Sequence, residues 1–155
     1  MVKFEKMTID DLKEHICLQR KAFFPLLAKY QDGNFSPANI TEDEMKKRIE
    51  NPKGIYLKVI VNNLSVGGIY AYEFNNGTNE MYLSTIYISP NMHGHGLAQE
   101  SLKYLEKICS EIKTWWLEVP EGENKNRHIY EKFGYQNTGK KIIINDRLTL
   151  LIYKK

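Results

Sequence analysis

The segment from Ser84 to Ala98 constrains the fold of this chain most, because a strand passes through a proline into a glycine-rich turn that opens a helix. Residues Met81 to Ile88 are rich in β-branched and aromatic side chains, and Pro90 ends the strand because it has no N–H to donate. Apolar residues then recur at helical spacing and predict a helix from about Gly96 to Ile112 with one buried face. They are Leu97, Ser101/Leu102, Leu105, Ile108/Cys109 and Ile112.

The turn between this strand and this helix is a candidate ligand site. Gly94 and Gly96 lack the side chains that would keep a ligand away from the backbone. The first amides of the new helix have no intrahelical partner, and the helix dipole adds positive charge at the same place. We therefore expect a phosphate or similar anion to bind here without help from a basic side chain.

Composition limits the classes of function. A chain of 155 residues with 42% hydrophobic residues has the size of one domain with a real core, so we expect a single domain over residues 1–155. Its 22 basic and 19 acidic residues are interspersed and give a net charge of +3, which predicts no nucleic-acid partner. The small positive excess favours an anionic ligand at most.

The two cysteines and the N-terminus indicate a cellular location. Cys17 and Cys109 both fall on apolar helical stripes, and two cysteines form neither a disulfide framework nor a metal site, so we expect buried, reduced thiols. Met1 to Lys6 contains no apolar signal core, and no run of residues approaches membrane-spanning length. The sequence predicts a cytoplasmic protein without a membrane partner or a bound metal.

The first half of the chain reads as one strand and two helices. Alternation predicts a strand at Val2 to Met7, and apolar spacing predicts a long helix from about Thr8 to Tyr30. Pro25 predicts a break or kink near Phe24. The sequence Thr41-Glu-Asp-Glu44 is a capping box before a second, short helix.

From Ile55 to Ile88 the period changes to that of strands, with turns at Asn62-Asn63 and at Asn75 to Gly77, which predicts an antiparallel meander. After the helix, a strand is expected at Thr114 to Val119, a short helix at Asn124 to Phe133, and two strands from Tyr135 to Tyr153. A helix joining two strands implies a locally parallel crossover. The predicted fold class is therefore α/β (α+β), with a mixed, mostly antiparallel sheet of about seven strands and helices on both faces.

Spacing within the glycine turn separates the nucleotide-binding families. The turn lacks the Gly-Lys-Ser/Thr of a P-loop, and it lacks the third glycine of the dinucleotide fingerprint, so a Rossmann-type enzyme is disfavoured. The pattern instead resembles Gln/Arg-x-x-Gly-x-Gly/Ala, the acetyl-CoA pyrophosphate loop of the GNAT superfamily of N-acetyltransferases. The residues in question are His93, Gly94, His95, Gly96, Leu97 and Ala98, with His93 where the family usually has Gln or Arg.

A second motif about thirty residues later is similar to another segment of the same family. The stretch from Asn124 to Tyr135 resembles its Asn…Tyr-x-Lys-x-Gly-Phe/Tyr segment, with Tyr130 as the tyrosine. The family asparagine often lies seven residues before the tyrosine, where this chain has Glu123. Asn124 or Asn126 would take its place, and Asn126 is favoured because it lies one helical turn before Tyr130.

The resemblance implies an acetyl-CoA-dependent N-acetyltransferase in which a primary amine attacks the thioester directly. Backbone amides of Ile86, Tyr87 and Ile88 would hold pantetheine and polarise the carbonyl, and Tyr130 would protonate the leaving thiolate. Glu80 and Glu118 are the candidate general bases, and a water chain is the alternative to both.

The acceptor is the least determined part of this prediction. By analogy, Phe24, Tyr30, Asp32 and Phe35 would receive a cationic amine of a small molecule or peptide. The identity of that amine and the oligomeric state stay open, with a homodimer as one option. The alternative function is a non-catalytic module on the same fold that binds CoA or a partner.

Overall fold

The computed structural model describes all residues from Met1 to Lys155. It contains seven strands in a single sheet and four α-helices. The elements in chain order are β1 Val2–Lys6, α1 Leu12–Tyr30, α2 Glu42–Glu50, β2 Gly54–Val61, β3 Leu64–Asn75, β4 Glu80–Ile88, α3 Leu97–Ile108, β5 Thr114–Pro120, α4 Asn124–Lys132, β6 Gln136–Ile143 and β7 Thr149–Lys154.

The strands lie in the order β1-β2-β3-β4-β5-β7-β6. Every neighbouring pair is antiparallel except β4 and β5, which α3 joins as a parallel crossover. The predicted mixed, mostly antiparallel sheet is thus confirmed, including the position of its one parallel pair.

Helices cover both faces of the sheet, as predicted. The face that we call the α1 face packs against α1 and α2, whose Ile16 and Met45 share a cluster with Tyr56 of β2. The opposite face, the α3 face, packs against α3 through Leu102 and Leu105, which belong to a core cluster of 14 buried residues. Side chains of α4 pack against that same cluster.

Pro25 does not interrupt α1, so the predicted break near Phe24 is wrong. The helix continues from Leu12 to Tyr30 with the proline inside it. Pro25 lies on the exposed side, where water can satisfy the carbonyl that loses its N–H partner. Burial of Ile16 and Tyr30 holds the two ends of the helix against the protein.

Two further local expectations fail. Cys17 is exposed, whereas Cys109 is buried as predicted, because Cys17 follows Ile16 and points about 100° away from its buried side. Helix α3 ends at Ile108 rather than Ile112, since Cys109 leaves helical geometry with φ −110° and ψ 46°. Burial raises the pKa of the Cys109 thiol to about 11.

Other local signals are found where the sequence places them. The Thr41 hydroxyl accepts a hydrogen bond from Glu44 N at 3.1 Å and the Glu44 carboxylate accepts one from Thr41 N at 3.2 Å, which forms the capping box of α2. Asn62 and Asn63, between β2 and β3, both have positive φ, as a tight hairpin turn requires. No helix is long and apolar enough to cross a membrane.

Candidate active site

The glycine turn before α3 presents a run of unpaired backbone donors. The N–H groups from Gly94 to Gln99 donate to no atom of the protein, and the first paired one is that of Glu100, which bonds Gly96 O at 3.0 Å. Gly94 and Gly96 have φ of +83° and +72°, and a Cβ added to either would meet no atom within 4 Å. The turn is therefore an open surface with a run of unpaired N–H groups, which suits an anion.

Both histidines of the turn are exposed, and one ring nitrogen of each lies near a backbone carbonyl oxygen. The His93 ring lies with Nε2 2.9 Å from the carbonyl oxygen of Ile88, and the His95 ring lies with Nδ1 3.2 Å from the carbonyl oxygen of His93. His93 N donates to Pro90 O. His93 therefore fastens the turn to the end of β4, whereas Gly94 to Ala98 present their backbone N–H groups.

Sequence reasoning missed Gln99 as a member of this run. Its N–H is also unpaired, because it lies at the third position of α3, within the first turn where no intrahelical acceptor exists. The sequence could have predicted this unpaired N–H from the start of the helix, because the three residues after Gly96 precede the first intrahelical hydrogen bond.

The parallel strands β4 and β5 separate after a short paired segment. They pair only at Glu80–Thr114, Met81–Trp115 and Tyr82–Trp116, although β4 continues to Ile88 and β5 to Pro120. Beyond Tyr82 the edge of β4 that faces β5 has no strand partner, which leaves a wedge-shaped cleft between the two strands. Leu97 of α3 packs with Ile88, so the glycine turn lies at the open end of this cleft.

A β-bulge in β4 lies where the strands part. The register with β3 pairs Tyr70 with Thr85 and Ala71 with Leu83, which leaves Ser84 without a partner. An extra residue reverses which side chains face which side. Leu83 consequently packs in the core of the α3 face, whereas Tyr87 packs on the α1 face.

The segment Ile86 to Ile88 lies on the unpaired stretch of β4, as predicted for pantetheine contacts. The Tyr87 side chain does not face the cleft, because its hydroxyl lies 2.8 Å from His15 Nδ1 and 3.0 Å from the Tyr56 hydroxyl. The Tyr87 side chain is therefore not available to a ligand in the cleft, and neither is the carbonyl oxygen of Ile88, which lies 2.9 Å from His93 Nε2.

Tyr130 lies on α4, half-buried against the core of the α3 face. Its ring packs edge-on against Tyr135 with centroids 5.9 Å apart, and its hydroxyl makes no hydrogen bond within the protein. Burial raises the pKa of Tyr130 to about 12. The phenol is therefore protonated at neutral pH and has a proton free to give.

Helix α4 is held in place by a hydrogen-bonded group next to Tyr130. The buried Tyr153 hydroxyl of β7 donates to Glu131 Oε2 at 2.6 Å and accepts from Arg127 Nε at 2.9 Å. Asn126, one helical turn before Tyr130, is exposed and has no hydrogen-bond partner, and Asn124 begins the helix, also exposed.

The two candidate bases occupy different parts of the cleft. Glu80 lies at its closed end, where its carboxylate accepts hydrogen bonds from Asn75 Nδ2 at 2.8 Å and Trp116 Nε1 at 3.1 Å. These bonds, that from Asn75 first, lower the pKa of Glu80. Glu118 is exposed on β5 beyond the last parallel pair, so it lies beside the open part of the cleft. Burial raises the pKa of the Tyr82 phenol, and its contact with the Glu118 carboxylate raises that pKa further.

The predicted acceptor residues differ in exposure. Phe24 and Phe35 are exposed at 64% and 73%. Tyr30 is buried, and its hydroxyl donates to Glu123 Oε2, which also accepts from Lys29 Nζ at 2.7 Å. Tyr30 therefore ties the end of α1 to the loop before α4. Asp32, just after α1, has a buried Oδ1 without a partner.

Sequence reasoning missed an aromatic row on the α1 face. Six rings from four strands lie with successive centroids 5.2 to 6.4 Å apart. They begin in the interior and reach the surface beside the cleft. The aromatic row consists of Tyr56, Tyr70, Tyr72, Tyr82, Phe74 and Trp116.

The row has a cation close to its buried end. Arg48 of α2 lies 5.3 Å from the Tyr70 ring and donates from Nη1 to Thr85 Oγ1 at 3.1 Å. In the sequence, no local pattern distinguishes this arginine from the exposed Lys46 and Lys47 that precede it.

Comparison with known proteins identifies the fold and the family. The model of the acetyltransferase (GNAT) family matches residues 20–135. Among curated proteins no sequence matches the chain significantly. Solved structures, in contrast, match it over nearly its whole length.

Three of these solved structures are N-acetyltransferases from different organisms. PaiA N-acetyltransferase from Thermoplasma acidophilum, solved with coenzyme A, is 18% identical with a TM-score of 0.78 and covers 100% of this chain and 98% of its own. Ribosomal-protein-S18-alanine N-acetyltransferase from Escherichia coli is 16% identical with a TM-score of 0.78, covering 99% and 92%. Spermidine N-acetyltransferase from Vibrio cholerae, solved with CoA and spermine, is 17% identical with a TM-score of 0.78, covering 99% and 93%.

Identities this low establish a common fold and leave the acceptor undetermined. The family assignment depends on the sequence match, which spans about three quarters of the chain, and it agrees with the glycine turn, the parted strands and the tyrosine of α4. This chain belongs to the acetyltransferase (GNAT) family.

Proposed function

We propose that this protein transfers the acetyl group of acetyl-CoA to a primary amine by direct attack. The observation that carries the proposal is the run of unpaired N–H groups from Gly94 to Gln99 at the open end of the cleft. Such a run at a helix N-terminus binds the oxygens of a diphosphate without a basic side chain, and acetyl-CoA carries one. Two of the similar structures contain coenzyme A, which supports this choice.

The cleft between β4 and β5 suits the rest of that substrate. From the glycine turn, an extended pantetheine arm would run along the unpaired edge of β4, where the backbone groups of Ile86 to Ile88 that bond neither β3 nor His93 would make strand-like hydrogen bonds. The thioester would then lie near the bulge at Ser84, where the strands part. An N–H group at this place would polarise the thioester carbonyl.

Tyr130 of α4 and Glu118 of β5 would handle the protons of the reaction. Acetyl-CoA supplies a thioester carbonyl that an amine can attack. A C–N bond forms, the C–S bond breaks, and Tyr130 gives its proton to the departing sulfur. On the order of one in a thousand lysine-type amines is neutral at pH 7, so a base must help. Glu118 takes the amine proton, directly or through water.

The first test concerns the diphosphate cradle. Gly96→Ala places a side chain at φ +72°, where a non-glycine residue costs roughly 1–2 kcal/mol. We expect acetyl-CoA affinity, measured by titration calorimetry, to fall about tenfold. Gly77→Ala is the matched control, because Gly77 has φ +76° and equally open surroundings in the β3–β4 turn.

Three outcomes contradict the proposal. One is the absence of acetyl-CoA binding at saturating concentration. Another is an equal loss of affinity in the Gly96 and Gly77 variants, which would reflect backbone strain alone. The third is binding without any CoA release in the presence of a broad panel of amines, which would favour the non-catalytic alternative.

A further inference from the structure

Arg48 is a half-buried cation without a carboxylate partner on the α1 face. None of the ion pairs in the protein includes it. One guanidinium N–H bonds Thr85 Oγ1 and the Tyr56 hydroxyl is also a side-chain partner of the guanidinium, but no carboxylate takes the remaining N–H groups. A partly desolvated arginine with free donors is a strong site for a carboxylate, which it can bind through two parallel hydrogen bonds.

The strand register places Arg48 and Glu118 on opposite sides of the point where β4 and β5 part. Tyr82 pairs with Trp116, and Glu118 lies two residues further along β5 on the same face as Trp116. Arg48 contacts Thr85, which follows Tyr82 by three residues on β4. Because Ser84 is the extra residue of the bulge, Thr85 lies only about two strand positions beyond Tyr82. Thr85 and Glu118 therefore lie at nearly the same height on the two sides of the cleft.

The charges of Arg48 and Glu118 both affect the pKa of Tyr72. Burial raises the pKa of this phenol, Tyr70 and Glu118 raise it further, and Arg48 acts in the opposite direction. Its ring lies between Tyr70 and Tyr82 in the aromatic row, at centroid distances of 5.9 and 5.6 Å. An aromatic surface with a cation towards one end and an anion towards the other is complementary to a small zwitterion.

The other charged side chains near this face do not lie beside the open part of the cleft. Lys154 Nζ lies 5.1 Å from the Trp116 ring at the exposed end of the row, and Glu80 is bonded to Asn75 and Trp116 at the closed end. Arg48 is thus the cation placed beside the open part of the cleft. It would repel an acceptor that carries only positive charges, such as a polyamine.

We propose that Arg48 binds a carboxylate of the acceptor, and that the acceptor is a small molecule with a primary amine and a carboxylate close together, as in an amino acid. The carboxylate bonds the free guanidinium N–H groups, the body of the molecule lies on Tyr72 and Tyr82, and the amine points into the cleft towards Glu118. This inference depends on the proposed acetyl transfer and names the substrate class of that site.

The test compares amines that differ only in the carboxylate. The CoA-release assay would use amino acids, their carboxamides, the corresponding decarboxylated amines and spermidine, with products identified by mass. The unaltered protein is expected to show a kcat/KM for the carboxylated member at least about tenfold above that of its decarboxylated partner, since a charged hydrogen-bonded contact typically changes binding roughly 10- to 100-fold.

Variants of Arg48 separate recognition from structure. Arg48→Gln should lower kcat/KM for the carboxylated acceptor by about tenfold, mainly through a higher KM. The kcat/KM for the decarboxylated amine should stay within about twofold of its value in the unaltered protein. Arg48→Lys should keep part of the preference because it keeps the charge without the two parallel bonds. Lys47→Gln, an exposed neighbour on α2, is the matched control and should behave as the unaltered protein.

The outcomes are distinguishable. A preference of the unaltered protein for amines without a carboxylate overturns the inference and leaves acetyl transfer intact. An equal loss for both kinds of acceptor in Arg48→Gln also overturns it, since that result assigns Arg48 a structural role. Absence of acetyl-CoA binding, titrated first and without any acceptor, overturns the proposed function and this inference together.

Discussion

The two faces of the sheet are built from different chemistry. The α3 face has an almost wholly apolar core, with Leu102 and Leu117 among its most buried members. The α1 face instead buries hydroxyls and an imidazole, with His15, Tyr56 and Tyr87 joined by hydrogen bonds of 2.8 and 3.0 Å. The proposed CoA site is made of backbone groups in the cleft, and the proposed acceptor site of side chains on the α1 face.

This difference separates what is common to a family from what is particular to one member. A diphosphate site made of N–H groups requires glycines and a helix start in one continuous segment. An acceptor site made of Arg48, Tyr72 and Glu118 depends on three separate elements, so each member of the family can change it without altering the sheet. The predictions below test that division, beginning with the largest expected effect.

Tyr130→Phe should abolish most turnover and leave acetyl-CoA affinity unchanged. Loss of a general acid typically costs 10²- to 10⁴-fold, so we expect kcat to fall at least about 100-fold in a steady-state assay. Tyr135→Phe is the control, because it removes a neighbouring buried phenol that the proposed mechanism does not use. Equal kcat values for Tyr130→Phe and the unaltered protein would remove Tyr130 from the mechanism.

Acid should destabilise the α1 face through His15. Burial lowers the pKa of His15 to about 4, whereas an unfolded histidine has a pKa of about 6.5. The unfolded state therefore binds more protons between these values, and the free energy of unfolding should fall by up to about 3 kcal/mol as pH decreases from 6.5 to 4.

Urea unfolding at several pH values checks this prediction. His15→Gln, which carries no titrating ring, should lose that part of the pH dependence, whatever its stability at pH 7. His128→Gln, an exposed position on α4, should keep it. The same slope in all three proteins would show that carboxylates alone cause the acid sensitivity.

Glu118→Gln should reduce turnover by roughly tenfold, less than loss of Tyr130, because Glu118 is exposed and water can partly replace a base there. Glu80→Gln should have the smaller effect, since the Glu80 carboxylate is already bonded to Asn75 and Trp116. Initial rates with saturating acetyl-CoA and varied acceptor would rank the two. The reverse order would move the base to the closed end of the cleft.

Local signals predicted most of the fold correctly. The sequence predicted the meander, the crossover through α3 and the capping box at Thr41, because each depends on residues that are neighbours in the chain. Pro25 misled the prediction, since its cost is small at an exposed helical position whose ends are packed elsewhere. The sequence did not predict the bulge at Ser84, because the residues from Leu83 to Thr85 are of types that also occur in a regular strand.

The sequence alone determined the glycine turn, the helix after it and the tyrosine of α4, because each is a property of a short continuous segment. Only the tertiary structure decided that Tyr30 binds Glu123, that Glu80 lies at the closed end of the cleft, and that Arg48 lies beside it. These facts depend on strand register and on packing between distant segments. A pattern in the chain describes its own backbone, whereas a pocket made of side chains exists only after the sheet has assembled.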